Sequence, residues 1–298
     1  MTLLVSISDW MGFLRCRLQW DWMSPNRMNR MPKRPVPALM FGGAVHLALE
    51  LFYREARNPV ETFMQAMVLA NTEAATPLEE AKLMELIGKG EHLLLDYLAY
   101  YGERPTDDRD GLRVLVTEQE FKVVIPGMVD AFFVGTVDGL CIDVNGDVWV
   151  LEHKTHTRAA PIDGWMLSEQ TVGYVYAMQR AVLTGHFEDR GVPRSATVRG
   201  TLYNGLQKAV PRTGSRFTRQ PIRVSRGALE MFQKRLVAVA TEMRDDPSIY
   251  PTPTLDCVWQ CGMYDMCLTA RDGIDVSYML QTETVQRPDR GIVYRQEE

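Results

Sequence analysis

Glu152 and Lys154 stand two residues apart at the end of an apolar run, Val148-Trp149-Val150-Leu151. The run reads as a buried strand, and residues two apart on a strand face the same way. A carboxylate and an ammonium are therefore presented to one spot, with His153 turned to the other side. Upstream, Gly127-Met128-Val129-Asp130 sets a carboxylate ahead of Ala-Phe-Phe-Val. An acid at the start of a buried strand is costly unless it is paired or bound to a cation. Asp130 and Glu152 lie one hairpin apart, so the two are expected to converge. Two carboxylates and a backbone carbonyl make a hard oxygen site suited to Mg²⁺ or Mn²⁺. Most Glu-x-Lys triplets are exposed ion pairs on a sheet, so this reading depends on what else the chain supplies.

Several other residues are candidates for the same place. Gln170 and Tyr174 are four apart in a helical stretch and so share one helical face. His46 follows Gly43-Ala44-Val45 at the start of another helical stretch; a lone helical histidine is more often structural than a ligand. The segment CVWQCGMYDMC carries Cys257, Cys261 and Cys267. Three thiols in so short a stretch point to a metal or an iron–sulfur cluster rather than to packing. Cys16 and Cys141 are the candidates for a fourth ligand. Cys141, in Leu-Cys-Ile-Asp, reads as a small buried hydrophobe, which leaves Cys16 freer. Zinc is the rival occupant, and spacing alone does not choose.

The chain has 298 residues and a net charge of −5, so its overall charge does not announce a nucleic-acid binder. The distribution says more. From Gly191 to Leu229 there are eight Lys or Arg and no Asp or Glu. Lys208, Arg212, Arg216, Arg219, Arg223 and Arg226 form the second part of that stripe, which suits either phosphates or the charged edge of a hairpin. There is no G-x-x-x-x-G-K-[ST] phosphate loop, which argues against an ATP-driven motor. No stretch is apolar and long enough to span a bilayer. The opening MTLLVSISDWMGFLRC lacks a basic start and contains Asp9, which reads against a signal peptide, and an arginine before Cys16 reads against lipid attachment. Five cysteines without a secretion signal suggest a reducing, cytoplasmic setting.

These groups need elements to hold them. Ser8 is expected to cap a helix over about 9–20, followed by a Pro/Met/Arg-rich link from Ser24 to Pro37. Helices are expected over 41–56 and about 76–101. Strands follow at 113–125 and 127–139, then a hairpin turning at Asn145-Gly146. A helix over 163–184, strands near 197–205 and 216–224 and a helix over 225–245 complete a mixed α/β core. The chain from Pro247 on is expected to be irregular apart from its cysteines, with a loose polar end.

Gly-Gly-Ala-Val-His46, Gly-Met-Val-Asp130, Glu152-His-Lys154-Thr and Gln170-x-x-x-Tyr174 occur in that order. Together they resemble the motifs of the PD-(D/E)XK nucleases of the RecB type. Cys16 with the trailing triplet resembles the subset with a four-iron cluster, such as Cas4 proteins and AddB-type nuclease domains. The resemblance spans about residues 6–268. It implies a restriction-endonuclease-like core, a mixed central sheet flanked by helices. Around that core it implies an N-terminal helical region, a helical insert near 58–102 and a Cys-rich staple. The implied extent is one domain over 1–270, with a polar tail over 271–298.

By the same resemblance His46, Asp130 and Glu152 would ligate Mg²⁺ or Mn²⁺, joined by the His153 carbonyl. Lys154 would position or activate the attacking water and stabilise charge, and Gln170 and Tyr174 would orient Lys154 or the DNA phosphate. Cys16, Cys257, Cys261 and Cys267 would hold a 4Fe-4S cluster. The expected activity is that of a DNA exonuclease on single strands or ends, with Lys208, Arg212, Arg216, Arg219 and Arg223 along the DNA path. Two other readings stay open. One is a non-catalytic DNA-binding or assembly subunit; the other is an enzyme that works beside a helicase or an integrase-like partner.

Overall fold

The computed structural model describes residues 2–33, 37–71, 77–157, 162–245 and 247–287. β1 (Leu3–Val5) leads into α1 (Ile7–Arg15), α2 (Arg17–Met23) and β2 (Arg30–Pro32). Three longer helices follow, α3 (Pro37–Glu55), α4 (Pro59–Asn71) and α5 (Pro77–Tyr101). Strands β3 (Arg113–Val124), β4 (Ala131–Ile142) and β5 (Val148–His156) come next. Then α6 (Ile162–Met166) and α7 (Glu169–Leu183) cross over to β6 (Val198–Gln207), beside which β7 (Phe217–Arg223) returns. The chain continues through α8 (Arg226–Asp245), α9 (Cys257–Gln260), α10 (Tyr264–Arg271), α11 (Ser277–Glu283) and β8 (Thr284–Gln286).

These elements fall into two compact units. The larger comprises Val36–Phe121 and Thr136–Phe232; the smaller comprises Met1–Pro35, Lys122–Gly135 and Gln233–Glu298. In the larger unit β3 pairs with β4, and the order continues β4-β5-β6-β7. The β4–β5 hairpin is antiparallel, with Gly139 opposite Leu151. Its turn forms where the sequence places it. Gly146 takes φ +80°, and the Asp143 carboxylate accepts from the backbone N–H of Asn145 and Asp147. β5 and β6 are parallel, which obliges a crossover, and α6 and α7 supply it. One face of the sheet is covered by an apolar cluster of Phe41, Val45, Leu49, Phe63, Leu93 and Tyr97, with Leu206 and Phe217 from the strands. Trp165 packs with Tyr203 and Ile222 in a separate cluster. The spacing of β3 and β4 depends on a glycine. A Cβ on Gly139 would lie 2.8 Å from the Val116 carbonyl oxygen, so the two strands approach closely only because that position is bare.

In the smaller unit β1 runs parallel to the start of β4, and β2 pairs antiparallel with β8, Arg30 opposite Gln286. Trp22, Met263, Met266 and Leu280 form its core cluster. Asp9 is buried there and accepts from Trp20 Nε1 and Asn26 Nδ2, each at 2.9 Å.

The mixed α/β architecture agrees with the sequence expectation, and several details differ. The residues group as two compact units, with the cysteine segment and α2 in one apolar cluster. The first helix breaks at Cys16, whose backbone is extended (φ −161°, ψ 111°). Its cap is Ser6, whose Oγ accepts from Asp9 N, and not Ser8. The helix over 163–184 is interrupted between Met166 and Glu169. Residues 127–130 form a turn, and β4 begins only at Ala131. Past residue 271 the chain forms α11 and β8, because β2 offers an edge for β8 to pair with; residues 288–298 of the expected tail lie outside the described residues.

Candidate metal centre and thiol cluster

Glu152 and Lys154 lie near the end of β5 and share a face, as the alternation of a strand requires. Lys154 Nζ is paired with Glu152 Oε1 and also donates to Gln170 Oε1 at 3.2 Å. Gln170, in the first turn of α7, donates from Nε2 to the same Glu152 oxygen at 3.0 Å. One Glu152 oxygen is thus held by two donors. The other, Oε2, is buried with no hydrogen-bond partner, in a residue only 2 % exposed. Burial, and then the charge of Asp138, push the Glu152 carboxyl up to about 7 against the pull of Lys154. Burial works against the Lys154 charge too, but Glu152 prevails and holds its ammonium above the usual range. Tyr174 is neutral, its hydroxyl driven upward by burial, and it hydrogen-bonds toward Gln170.

The acid beside this pair is Asp138. The β4–β5 register that sets Gly139 against Leu151 carries Asp138 opposite Glu152. Asp138 Oδ2 accepts from the His153 backbone N–H at 2.6 Å, and Oδ1 lies 3.2 Å from His46 Nδ1 on α3. Burial alone would raise the Asp138 carboxyl; the bonds from His46 and His153 outweigh it and hold it low. The partnership raises His46 in turn, against burial. Asp130 is elsewhere. It is an exposed turn residue with φ +51° in the smaller unit, and its carbonyl accepts from Leu3 N at 2.8 Å. Asp is one of the few residues that tolerates that left-handed backbone. The register thus sets Asp138, and not the expected Asp130, opposite Glu152. The same word occurs twice, Gly127-Met-Val-Asp130 and Gly135-Thr-Val-Asp138, and the second falls inside the hairpin.

A further acid had no motif to reveal it. Glu118, on β3, brings a carboxylate oxygen to within 4.8 Å of ligand atoms on both His46 and Asp138. Its carboxyl is pushed up to about 7, first by burial and then by Asp138 and Glu50. These donors fit a hard divalent cation: two carboxylates and an imidazole in one cluster, with the orphaned Glu152 oxygen nearby.

His153 faces the other side of β5. Its Nδ1 lies 2.9 Å from Asn204 Nδ2; with the amide donating, the imidazole proton sits on Nε2. Asn204 also donates to Tyr97 at 3.0 Å, Tyr97 and Tyr53 share a 2.6 Å hydroxyl bond, and Tyr53 stacks on the His153 ring. Burial holds this imidazole neutral and lowers it to about 3. Between its ordinary value near 6.5 and about 3 the unfolded chain binds more protons, so stability falls as pH falls through that window. Denaturant titrations in chelator from pH 7 to pH 4 are expected to show that acid slope, and His153→Gln is expected to flatten it. An unchanged slope would assign the acid sensitivity to other groups.

The basic stripe divides. Arg219 is buried, its side chain 7 % exposed, and donates with both terminal nitrogens to Asp108 at 2.6 Å. Arg216 is buried too, bonded to Asp96 and to the Gln207 and Lys208 carbonyls. Both side chains turn inward, Arg219 from β7 and Arg216 from the residue before it, and each guanidinium is taken up by protein acceptors. Arg223 packs over Trp149 near Asp147, Lys208 over Phe41, and Arg212 is exposed.

In the smaller unit Cys16, Cys257, Cys261 and Cys267 line one cavity of about 240 Å³. Thr252 N donates to Cys16 Sγ and Thr254 N to Cys257 Sγ, each at 3.4 Å. Burial, then the neighbouring thiols, raise Cys261 and Cys267. Among the described residues no three thiols lie within 4.8 Å of one another. Cys141 is not part of this group: it is fully buried in the larger unit, against the Trp149 carbonyl.

No helix among the described residues is long and apolar enough to cross a membrane. The sequence matches the PD-(D/E)XK nuclease superfamily over residues 4–268, a span that takes in every residue of the metal centre and all four clustered thiols. No curated protein matches the chain. Among solved structures it is similar to "Crystal structure of SSO0001", at 12 % identity over 89 % of this chain and 85 % of that one, with a TM-score of 0.36.

Proposed function

The chain belongs to the PD-(D/E)XK nuclease superfamily, and from that footing we propose that it is a Mg²⁺- or Mn²⁺-dependent DNA exonuclease acting on single strands or DNA ends. The observation that carries the reading is Glu152: one oxygen clamped by Lys154 and Gln170, the other buried and bare beside Asp138. His46, Asp138, Glu152 and the His153 carbonyl would hold the cation. Bound there, it supplies Lewis acidity and lowers the pKa of water. Lys154 adds a fixed positive charge facing the phosphodiester as negative charge builds on its oxygens. Gln170 keeps Lys154 and Glu152 in register, and Tyr174 braces Gln170. The preference for ends rests on the RecB-type order of the motifs. Arg212, Lys208 and Arg223 remain as the surface part of a DNA path.

The test is cleavage of end-labelled single- and double-stranded DNA in Mg²⁺, Mn²⁺ or chelator. Metal-dependent loss of label is expected, and Lys154→Ala is expected to bind DNA normally and cut it at a small fraction of the wild-type rate. Wild-type cleavage by Lys154→Ala would refute the site. Binding without cleavage in any metal would favour an assembly subunit, or an enzyme that needs a helicase or integrase-like partner.

We infer further that the four thiols hold a 4Fe-4S cluster, in keeping with a reducing, cytoplasmic setting. Their convergence on one cavity supports this. Two backbone N–H groups already donate to the sulfurs, as cluster ligands commonly receive. Such a cluster would close a loop of more than two hundred residues between Cys16 and Cys257. Cys261→Ser is therefore expected to lose visible absorbance and thermal stability together. A stable, colourless, active variant would count against the staple.

A further inference from the structure

Past Leu151 the strand that carries the metal centre loses a neighbour. The β4–β5 ladder runs from Ile142 and Val148 to Gly139 and Leu151 and stops there. Pairing of β5 with β6 continues, Glu152 beside Tyr203, His153 beside Asn204 and Lys154 beside Gly205. The His153 N–H accordingly goes to the Asp138 side chain and not to a strand. Glu152, Lys154 and the His153 carbonyl therefore hang from β6. Asn204 ties the two strands together at that level. It is fully buried, with His153 on β5 and Arg219 on β7 as its register partners on either side. Its Nδ2 donates to His153 Nδ1 at 2.9 Å and to the Tyr97 hydroxyl at 3.0 Å. Tyr97 bonds to Tyr53, which accepts from Arg219 and stacks on the His153 ring. This polar rung lies within the apolar layer of Leu206 and Phe217. It is costly there, because Asn204 Oδ1 and Arg219 Nε are buried with no hydrogen-bond partner among the described residues. An apolar rung would strand neither atom. What the rung supplies that leucine would not is a single orientation of the ring it holds.

We propose that Asn204 is a positioning residue for the metal centre: by holding the His153 ring behind β5 it fixes the main chain at residue 153, and with it the carbonyl offered to the cation. This rests on the nuclease reading and deepens it. The ring acts as a handle because the backbone it is attached to belongs to the site. Any swing of that backbone moves the carbonyl, the N–H held by Asp138, and the flanking Glu152 and Lys154 together. The amide sets the direction of the ring by hydrogen bonding, and Tyr53 sets its plane by stacking. With Nδ1 accepting from Asn204, the imidazole proton is kept on Nε2.

The experiment compares wild type, Asn204→Leu, and Asn204→Leu combined with His153→Phe, each as the full chain freed of divalent ions. Three quantities are read: the melting temperature, the Mn²⁺ dissociation constant by calorimetry and electron paramagnetic resonance, and the imidazole nitrogen shifts of His153 by NMR at neutral pH. Wild type is expected to show His153 protonated on Nε2. Asn204→Leu is expected to show mixed tautomers, a lower melting temperature and Mn²⁺ bound about tenfold more weakly. In the double variant both polar partners are gone and the phenyl ring packs on Tyr53, so the melting temperature should return close to that of wild type. Its Mn²⁺ affinity should stay low, because nothing then directs the ring. Recovery of affinity together with melting temperature would reduce Asn204 to a structural role and overturn the inference. Wild-type Mn²⁺ affinity in Asn204→Leu, or a proton on His153 Nδ1 in wild type, would overturn it as well. Each of these results leaves the nuclease reading intact. No Mn²⁺ bound by wild type would overturn the metal-dependent reading and this inference with it.

Discussion

Asp138→Asn is expected to cut DNA roughly 10³-fold more slowly than wild type, or worse, while Asp130→Asn cuts normally. The size follows from several kcal/mol of charge stabilisation tied to the cation, at 1.36 kcal/mol per tenfold in rate. Asparagine preserves the shape of Asp138 and its bond from the His153 N–H but removes the negative charge facing His46. The fold should survive, so the loss should appear in rate and not in expression or melting temperature. Asp130 offers a sharp control, because it carries the same sequence word on an exposed turn. Equal losses for both, or a loss confined to Asp130→Asn, would return the motif to its first occurrence and refute a centre built on Asp138.

Arg219→Leu should produce the largest loss of stability. Its guanidinium meets Asp108 through two parallel bonds, reaches Asp110 at 3.2 Å and Tyr53 at 3.2 Å, and lies 3.7 Å over the Tyr101 ring. Asp108 is itself only 4 % exposed at its side chain. Removing one partner of a buried pair leaves the other charge stranded, at a cost of about 3–5 kcal/mol. At this chain length that lowers the melting temperature by roughly 10 °C. Arg219→Lys should rescue little, since an ammonium cannot reproduce the planar fork. Arg219→Leu combined with Asp108→Leu should recover much of the loss. Below its melting temperature the single variant should bind DNA like wild type. Weakened DNA binding with unchanged stability would restore Arg219 to the DNA path.

The readings of Arg219, Asp130 and Glu118 show where a sequence alone reaches its end. Glu152 and Lys154 were legible because a strand's period of two is strict, and an acid and a base at the end of an apolar run stand out. Gln170 and Tyr174 were legible by the helical period. Asp138 was hidden by repetition: two Gly-x-Val-Asp words eight residues apart have equal claims until the hairpin register sets one of them opposite Glu152. A count back from Asn145-Gly146 across the turn could have found it. Glu118 lay in Thr-Glu-Gln-Glu, a string of polar residues with no period to separate it from its neighbours. The basic stripe misled for another reason. Charge along a sequence does not say which residues a strand turns inward, and Asp108, which absorbs Arg219, is more than a hundred residues away. The break at Cys16 was likewise invisible in a segment whose apolar spacing suits a continuous helix.

The pairing of β2 with β8 has a consequence for how the protein is made. Arg30 waits for Gln286, 256 positions later, and Trp22 waits for Met263, Met266 and Leu280. On a ribosome adding about 5–20 residues per second, that interval is tens of seconds. Residues of the larger unit emerge inside it and can begin to pack, while the first thirty residues, with three tryptophans, have no core to enter. The earlier segment therefore carries an unsatisfied, aromatic surface through that interval.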